Sequence, residues 1–205
     1  MSERPPINSG QVDWSGENPG LYLKERDDGA FVTLISFFRV VYSPRGRGHA
    51  LVLVEAPDRA GGGADGLNVC VTDNEAMARW LVSDFATQFS AFRGTKALDS
   101  LEYRAFHGAS RGGDGIASYT ETVTGDGIEA RLAWDDLSAP FMVEMPPAQS
   151  ATGKHEMFSL FVDAGRGSAT VNGRPVLGHA VPRDFAGRRS STAFLAFSET
   201  WVVPS

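Results

Sequence analysis

Residues 190–203 read Ser-Ser-Thr-Ala-Phe-Leu-Ala-Phe-Ser-Glu-Thr-Trp-Val-Val, and the fold class turns on how this stretch is read. Side chains on a strand alternate between faces. Ala193, Leu195, Phe197, Glu199, Trp201 and Val203 therefore point one way, and Thr192, Phe194, Ala196, Ser198, Thr200 and Val202 the other. The first set is the more apolar, and it carries one carboxylate, Glu199, between Phe197 and Trp201. This is the pattern of a long late strand lining an interior, with Glu199 as its odd member.

Working back from that strand, short β-prone runs separated by Gly, Asp and Asn turns fill most of the chain. Leu21–Glu25, Phe31–Tyr42, His49–Glu55 and Leu67–Val71 come first. Phe31–Tyr42 is apolar on both faces, so it is expected to be covered on two sides or to meet a partner. After residue 94 come Leu101–His107, Ile116–Val123, Ile128–Trp134, Phe141–Met145 and His155–Asp163. Asn172-Gly173 between Ser168–Val171 and Arg174–Leu177 is the clearest hairpin signal. One segment breaks the pattern. Met77, Trp80, Leu81, Phe85 and Phe89 recur at helical steps, and Thr72-Asp73-Asn74-Glu75 fits a capping box.

The expected fold class is mainly β: a single antiparallel β-barrel, calycin-like, with one amphipathic helix near 73–90. A two-sheet sandwich is the alternative. Residues 1–18, rich in Pro, Ser, Gly and Asn, read as a flexible N-terminal arm, 19–205 as one barrel domain, and 178–189 as a long loop. The many-stranded pattern with its late Ser-Glu-Thr-Trp strand (198–201) resembles lipocalin-type barrels. That resemblance is architectural and carries no residue roles over.

The totals set limits. With 205 residues, 42 % hydrophobic and 21 % charged, the chain has the composition of a globular domain with a well-buried core. A net charge of −6 argues against nucleic acid, which needs concentrated Lys and Arg. No apolar run approaches the roughly 20 residues that span a bilayer. Met-Ser-Glu-Arg-Pro-Pro at the N-terminus holds no signal-peptide stretch, and Cys70 is the single cysteine. These features lead to the expectation of a reduced, cytoplasmic protein.

Two motifs match in letters and fail in context. Gly108-Ala109-Ser110-Arg111-Gly112 has the G-x-S-x-G spacing, but a serine-hydrolase elbow needs a helix to follow, and here a Gly-rich turn and a strand do. Gly61–Gly66 has the G-x-G-x-x-G spacing, yet it leads into a strand, whereas a dinucleotide site needs a helix N-terminus. His49, His107, His155 and His179 fall in four separate elements with no short ligand spacing, so neither a metal nor a cofactor is expected.

What remains is a set of charges on apolar strand faces. Glu199 alternates with Leu195, Phe197 and Trp201, Glu156 with Phe158 and Leu160, and Glu121 with Tyr119 and Val123. Arg39 alternates with Ile35 and Phe37, and Arg104 with Phe106. If these faces line one hollow, each carboxylate needs a cation, a donor or a proton, because an unpaired buried charge is costly. A one-residue bulge would turn any of them out. The expected function is binding of a small apolar or amphipathic ligand, with Arg39, Arg104, Tyr119, Glu121, Phe158, Phe197 and Trp201 as contacts. Glu199 and Glu156 are the candidate acid/base pair for the alternative, a cofactor-independent isomerase, hydratase or lyase. A further alternative is a homo-oligomeric structural protein using strand 31–42 as its interface.

Overall fold

A computed structural model describes residues 10–59 and 66–205. Most of the Gly61–Gly66 motif and the first nine residues lie outside them. The strands are β1 (Gly10–Glu17), β2 (Gly20–Lys24), β3 (Phe31–Tyr42), β4 (Gly48–Glu55), β5 (Asn68–Thr72), β6 (Glu102–Gly112) and β7 (Ser118–Gly125). They continue as β8 (Ile128–Leu137), β9 (Phe141–Met145), β10 (Glu156–Val171), β11 (Arg174–Pro175), β12 (Pro182–Phe185), β13 (Arg188–Ser191) and β14 (Ala193–Pro204). One α-helix, α1 (Glu75–Asp84), lies between β5 and β6, followed by 3-10 turns at Ala86–Gln88 and Lys96–Ser100. Among the described residues no helix is long and apolar enough to cross a membrane.

Nine strands close a barrel in the order β14-β2-β3-β4-β5-β6-β7-β8-β10, and β10 pairs back to β14. A ring with an odd number of strands cannot alternate direction all the way round. The unavoidable parallel pair is β5–β6, made possible by the long connection that carries α1. The other neighbours in the ring are antiparallel. The single-barrel reading therefore stands, and the sandwich does not.

Each strand of the ring sends apolar side chains to one interior cluster. Leu21, Ile35, Phe37, Leu51, Val71, Val123, Trp134, Val162 and Leu195 are all in it, with Phe106 packed beside them. The barrel is filled by its own side chains. A second cluster lies against the outside of the wall, where Tyr22, Leu34, Phe38, Val52, Cys70, Phe194 and Ala196 meet Met77, Leu81, Val82 and Phe85. Burial of each such side chain contributes about 1.5–3 kcal/mol. A 10-residue helix needs that, since its propensity alone is marginal at this length. Both faces of β3 are thus covered within the chain, and its exposed apolar residues are Val41 and Tyr42 at its end. Cys70 is buried in the outer cluster, which pushes its thiol up to about 12.

Four local expectations are corrected. The helix begins later than the capping box suggested: Asn74 Oδ1 accepts from Met77 N at 3.1 Å, while Thr72 Oγ1 donates to His49 O at 2.6 Å. Glu75 then pairs with Arg79 one turn on. The helix is also shorter than 73–90. Residues 10–17, expected in a flexible arm, form β1, which pairs with β14 and with the far end of β3. There β1 takes the place between β14 and β3 that β2 fills at the other end. The approach is close: a Cβ on Gly16 would sit 1.9 Å from Arg39 O. Residues 182–189, expected in a loop, fold with Ser190 and Ser191 into the β12–β13 hairpin, a two-stranded sheet of its own.

The fourth correction concerns β14. Ser198 has φ +51°, a left-handed conformation, and the pairing with β10 shifts register between Phe158 and Leu160. This bulge moves the alternation by one residue. Ala193, Leu195 and Phe197 face the barrel interior, whereas Glu199 and Trp201 join Phe194 and Ala196 on the outer face.

Candidate functional site

The inward charges gather at one end of the barrel. β3 ends there, β7 begins there, and Phe197 of β14 arrives there before its bulge. Arg39 projects inward with Ile35 and Phe37. Its Nη1 donates to Glu17 Oε2 at 2.9 Å, and its Nη2 donates to Glu121, whose residue is fully buried. Tyr119 donates its phenol proton to Glu121 Oε1 at 2.5 Å, and Phe197 sits edge-on to Tyr119 at 6.0 Å. Arg111 of β6 reaches both carboxylates, donating to Glu17 and lying 3.5 Å from Glu121. Arg39 also lies over the Phe37 ring at 4.4 Å. Burial works against the charge on Arg39, but the bond and charge of Glu121 outweigh it and raise its pKa. Burial, and then the neighbouring Glu121, raise that of Tyr119. Arg39, Tyr119, Glu121 and Phe197 are therefore brought together as the sequence suggested. The result is two arginines matched to two glutamates, with no group left over.

Arg104 is not part of this assembly. It faces inward at the opposite rim, where it donates to Glu102 at 2.7 Å. At that rim Arg174 donates to both oxygens of Glu55, at 3.0 and 2.7 Å.

A second polar assembly lies outside the barrel wall, on a cavity of about 350 Å³. Its floor is the outer face of the sheet: Tyr22, Met157, Phe161, Phe194, Glu199 and Trp201. Its cover is Phe89, Ser90 and Arg93 after the helix, Ser150 and Ala151 of the loop before β10, and Arg183 to Ala186 of the β12–β13 hairpin. Trp201 Nε1 donates to Glu199 Oε1 at 2.7 Å, and the Asn18 side chain gives a second hydrogen bond. Neither partner carries a charge. Burial dominates, and the Glu199 carboxyl, 3 % exposed, is pushed up to about 7.

Arg183 faces the same cavity from the hairpin. Its guanidinium lies 4.6 Å from the Phe194 ring centroid, 4.7 Å from that of Phe185 and 5.8 Å from that of Tyr22. Its Nε and Nη2 are buried and have no hydrogen-bond partner. Burial lowers its pKa, against the pull of Tyr22 and Asp163. Asp163 Oδ1 accepts from Ser190 Oγ at 2.7 Å. Tyr22 feels both Arg183 and Glu199; burial raises its phenol to about 12, although it is hydrogen-bonded to Ser36.

The remaining proposed contacts are elsewhere. Glu156 and Phe158 border a separate recess with Met142 and Glu144, on the first half of β10 where it runs between β9 and β14. They do not share a hollow with Glu199. Each histidine meets an aspartate: His49 with Asp73, His107 with Asp126, His155 with Asp13 and His179 with Asp27, at 2.8, 2.8, 2.7 and 3.0 Å. Among the described residues, no three of His, Cys, Asp and Glu gather to hold a metal ion. Ser110 lies inside β6, far from any strand-to-helix elbow.

Sequence reasoning missed Glu17, Arg111, Tyr22, Asn18 and Arg183. Tyr22 was legible as the outward member of Leu21-Tyr22-Leu23. Arg183 shares a strand face with Phe185, but Pro182 and Gly187 give the stretch the composition of a loop. Comparison with protein-family models, with curated proteins and with solved structures finds no match to this chain.

Proposed function

We propose that the protein binds a small, mostly apolar molecule in the cavity between the outer barrel wall and its covering segments. The reading rests on that cavity itself: an aromatic hollow into which a carboxyl group, Glu199, and a guanidinium, Arg183, both project without pairing with an opposite charge. Its volume of about 350 Å³ falls at the small end of the roughly 300–1,000 Å³ range of small-molecule sites, and a few convergent polar groups in an apolar wall are their usual composition. The filled barrel interior leaves this outer hollow as the better candidate.

Trp201 supplies a reporter, because its indole N–H donates to Glu199 inside the cavity. Titration with neutral aromatic and aliphatic probes, naphthalene-2-carboxamide among them, should shift that resonance saturably in ¹H–¹⁵N spectra. Ala151→Phe, which fills the cavity from its cover, should weaken the binding at least about tenfold. A panel that leaves the Trp201 signal unmoved, or binding indifferent to Ala151→Phe, overturns the reading.

Glu199 favours a second reading. A carboxyl held near 7 suits a general acid or base, and the reaction would be a cofactor-independent isomerisation, hydration or elimination. The two readings separate on one point. An enzyme converts the molecule it captures and loses that turnover in Glu199→Gln, whereas a binder returns it unchanged.

A further inference from the structure

We infer that the ligand of this cavity is a monocarboxylate with an apolar body, its carboxylate seated on the Nε–Nη2 edge of Arg183. The inference rests on the binding reading above and names the ligand class for the same site.

Three observations carry it. The first is the unpartnered edge. Nε and Nη2 lie side by side on a guanidinium, and together they make the two parallel hydrogen bonds that a carboxylate accepts. Buried polar groups in folded proteins are almost always satisfied, so a pair of buried donors without a partner calls for an acceptor. Among the described residues, Arg183 contributes the only guanidinium nitrogens in this condition. The fully buried Glu121, by contrast, has Arg39, and Glu55 has Arg174 on both oxygens.

The second observation is the sign of the available charge. An arginine keeps its proton under ordinary conditions, and a buried cation that forms no salt bridge favours an incoming anion, although the charge of Asp163 acts on it. Glu199, the carboxyl on the cavity floor, is hydrogen-bonded by Trp201 and Asn18 rather than by Arg183. Asp163 is held by Ser190. An amine ligand would have to enter beside a guanidinium that already occupies the Tyr22, Phe185 and Phe194 rings.

The third is the surrounding wall and its mounting. Phe161 stacks on Phe194 at 5.2 Å and meets Phe185 at 4.8 Å, so the guanidinium borders flat apolar surface suited to an aromatic or branched hydrocarbon body. The donors are buried, and seating an oxygen pair on them requires the β12–β13 hairpin to give by about an atom's width. That hairpin is a sheet of its own, outside the barrel ladder.

The test compares naphthalene-2-carboxylate with naphthalene-2-carboxamide and 2-naphthylmethylamine by calorimetry on the wild-type chain. The three share one ring system and differ in head-group charge. The inference expects the carboxylate to bind about tenfold or more tightly than the amide, and the amine to bind weakest. Arg183→Met should erase the carboxylate's advantage over the amide; Arg183→Lys, which keeps the charge and loses the fork, should keep only part of it. Equal affinities for carboxylate and amide, or a preference for the amine, overturn the anion assignment and leave the binding reading standing. Failure of all three to bind overturns both.

Discussion

The two polar assemblies are built from the same three residue types and end in opposite conditions. At the barrel end Glu121, Arg39 and Tyr119 are bonded into one unit, and Glu17 and Arg111 complete the charge count. In the outer cavity Glu199, Arg183 and Tyr22 line one hollow, but the carboxyl is bonded to an indole and an amide, and the guanidinium to nothing at its Nε–Nη2 edge. The first closes the end of a packed barrel. The second holds its groups apart around space. Buried ionisable groups therefore do not by themselves mark a site; the informative feature is whether the partners are already in place.

Removing the two arginines should break this comparison most sharply. Arg39→Met leaves Glu121 buried without its main cation, and loss of one partner of such a pair costs about 3–5 kcal/mol. Urea denaturation at pH 7 should show that loss with an unchanged m-value. Arg183→Met removes a buried charge that forms no salt bridge, so stability should rise or stay level. A loss in Arg183→Met as large as that in Arg39→Met would mean that Arg183 is paired after all, since it exceeds what its ring contacts supply, and the contrast between the assemblies would collapse.

The next effect is set by pH. Glu199 has its folded-state value raised from 4.5 to about 7, so the folded chain holds that proton more tightly than the unfolded chain. The stabilisation is whole below pH 4.5, falls as pH rises, and is gone above about 7. The span of about 2.5 units corresponds to about 3 kcal/mol. Glu199→Gln keeps an acceptor for Trp201 and removes the titration. Its stability relative to wild type should therefore rise by about 3 kcal/mol between pH 4.5 and pH 8.5, read from urea midpoints at both. A constant offset across that range would mean that Glu199 is solvated or paired with a cation.

How much of this was legible in the sequence follows from what each signal depends on. Phe31–Tyr42 and Asn172-Gly173 announce themselves through local chemistry, and both were read to within a residue. The inward set Arg39, Tyr119, Glu121 and Phe197 was also legible, because each alternates regularly with apolar neighbours up to its own position. β1 was hidden because Gly10, Asp13 and Gly16 dilute a strand whose stability comes from Trp14 packing on Trp201, across 187 residues of chain. Arg183 was hidden for a related reason: β12 and β13 are four residues each, and Pro182 and Gly187 read as loop. Glu199 was correctly expected to be buried, and its face was misread. No residue type in Phe197-Ser198-Glu199 announces a bulge, since serine is an unremarkable strand residue and the register shift shows only in the pairing with β10.

That bulge separates the two assemblies, for Phe197 belongs to the barrel end and Glu199 to the cavity. Its left-handed residue is Ser198, which exacts a conformational cost that glycine would not. Ser198→Gly relieves that cost and adds freedom to the unfolded chain, two terms of about 1 kcal/mol or less that oppose each other. Stability should change by less than about 0.5 kcal/mol, and the Trp201 indole resonance should stay where it is. Ser198→Val should destabilise by about 1–2 kcal/mol and move that resonance, since a β-branched residue resists this conformation most. If valine were accepted without either change, β14 would run straight through residue 198. Glu199 would then fall on the barrel side with Phe197, and the division into a completed and an incomplete charge assembly would lose its structural cause.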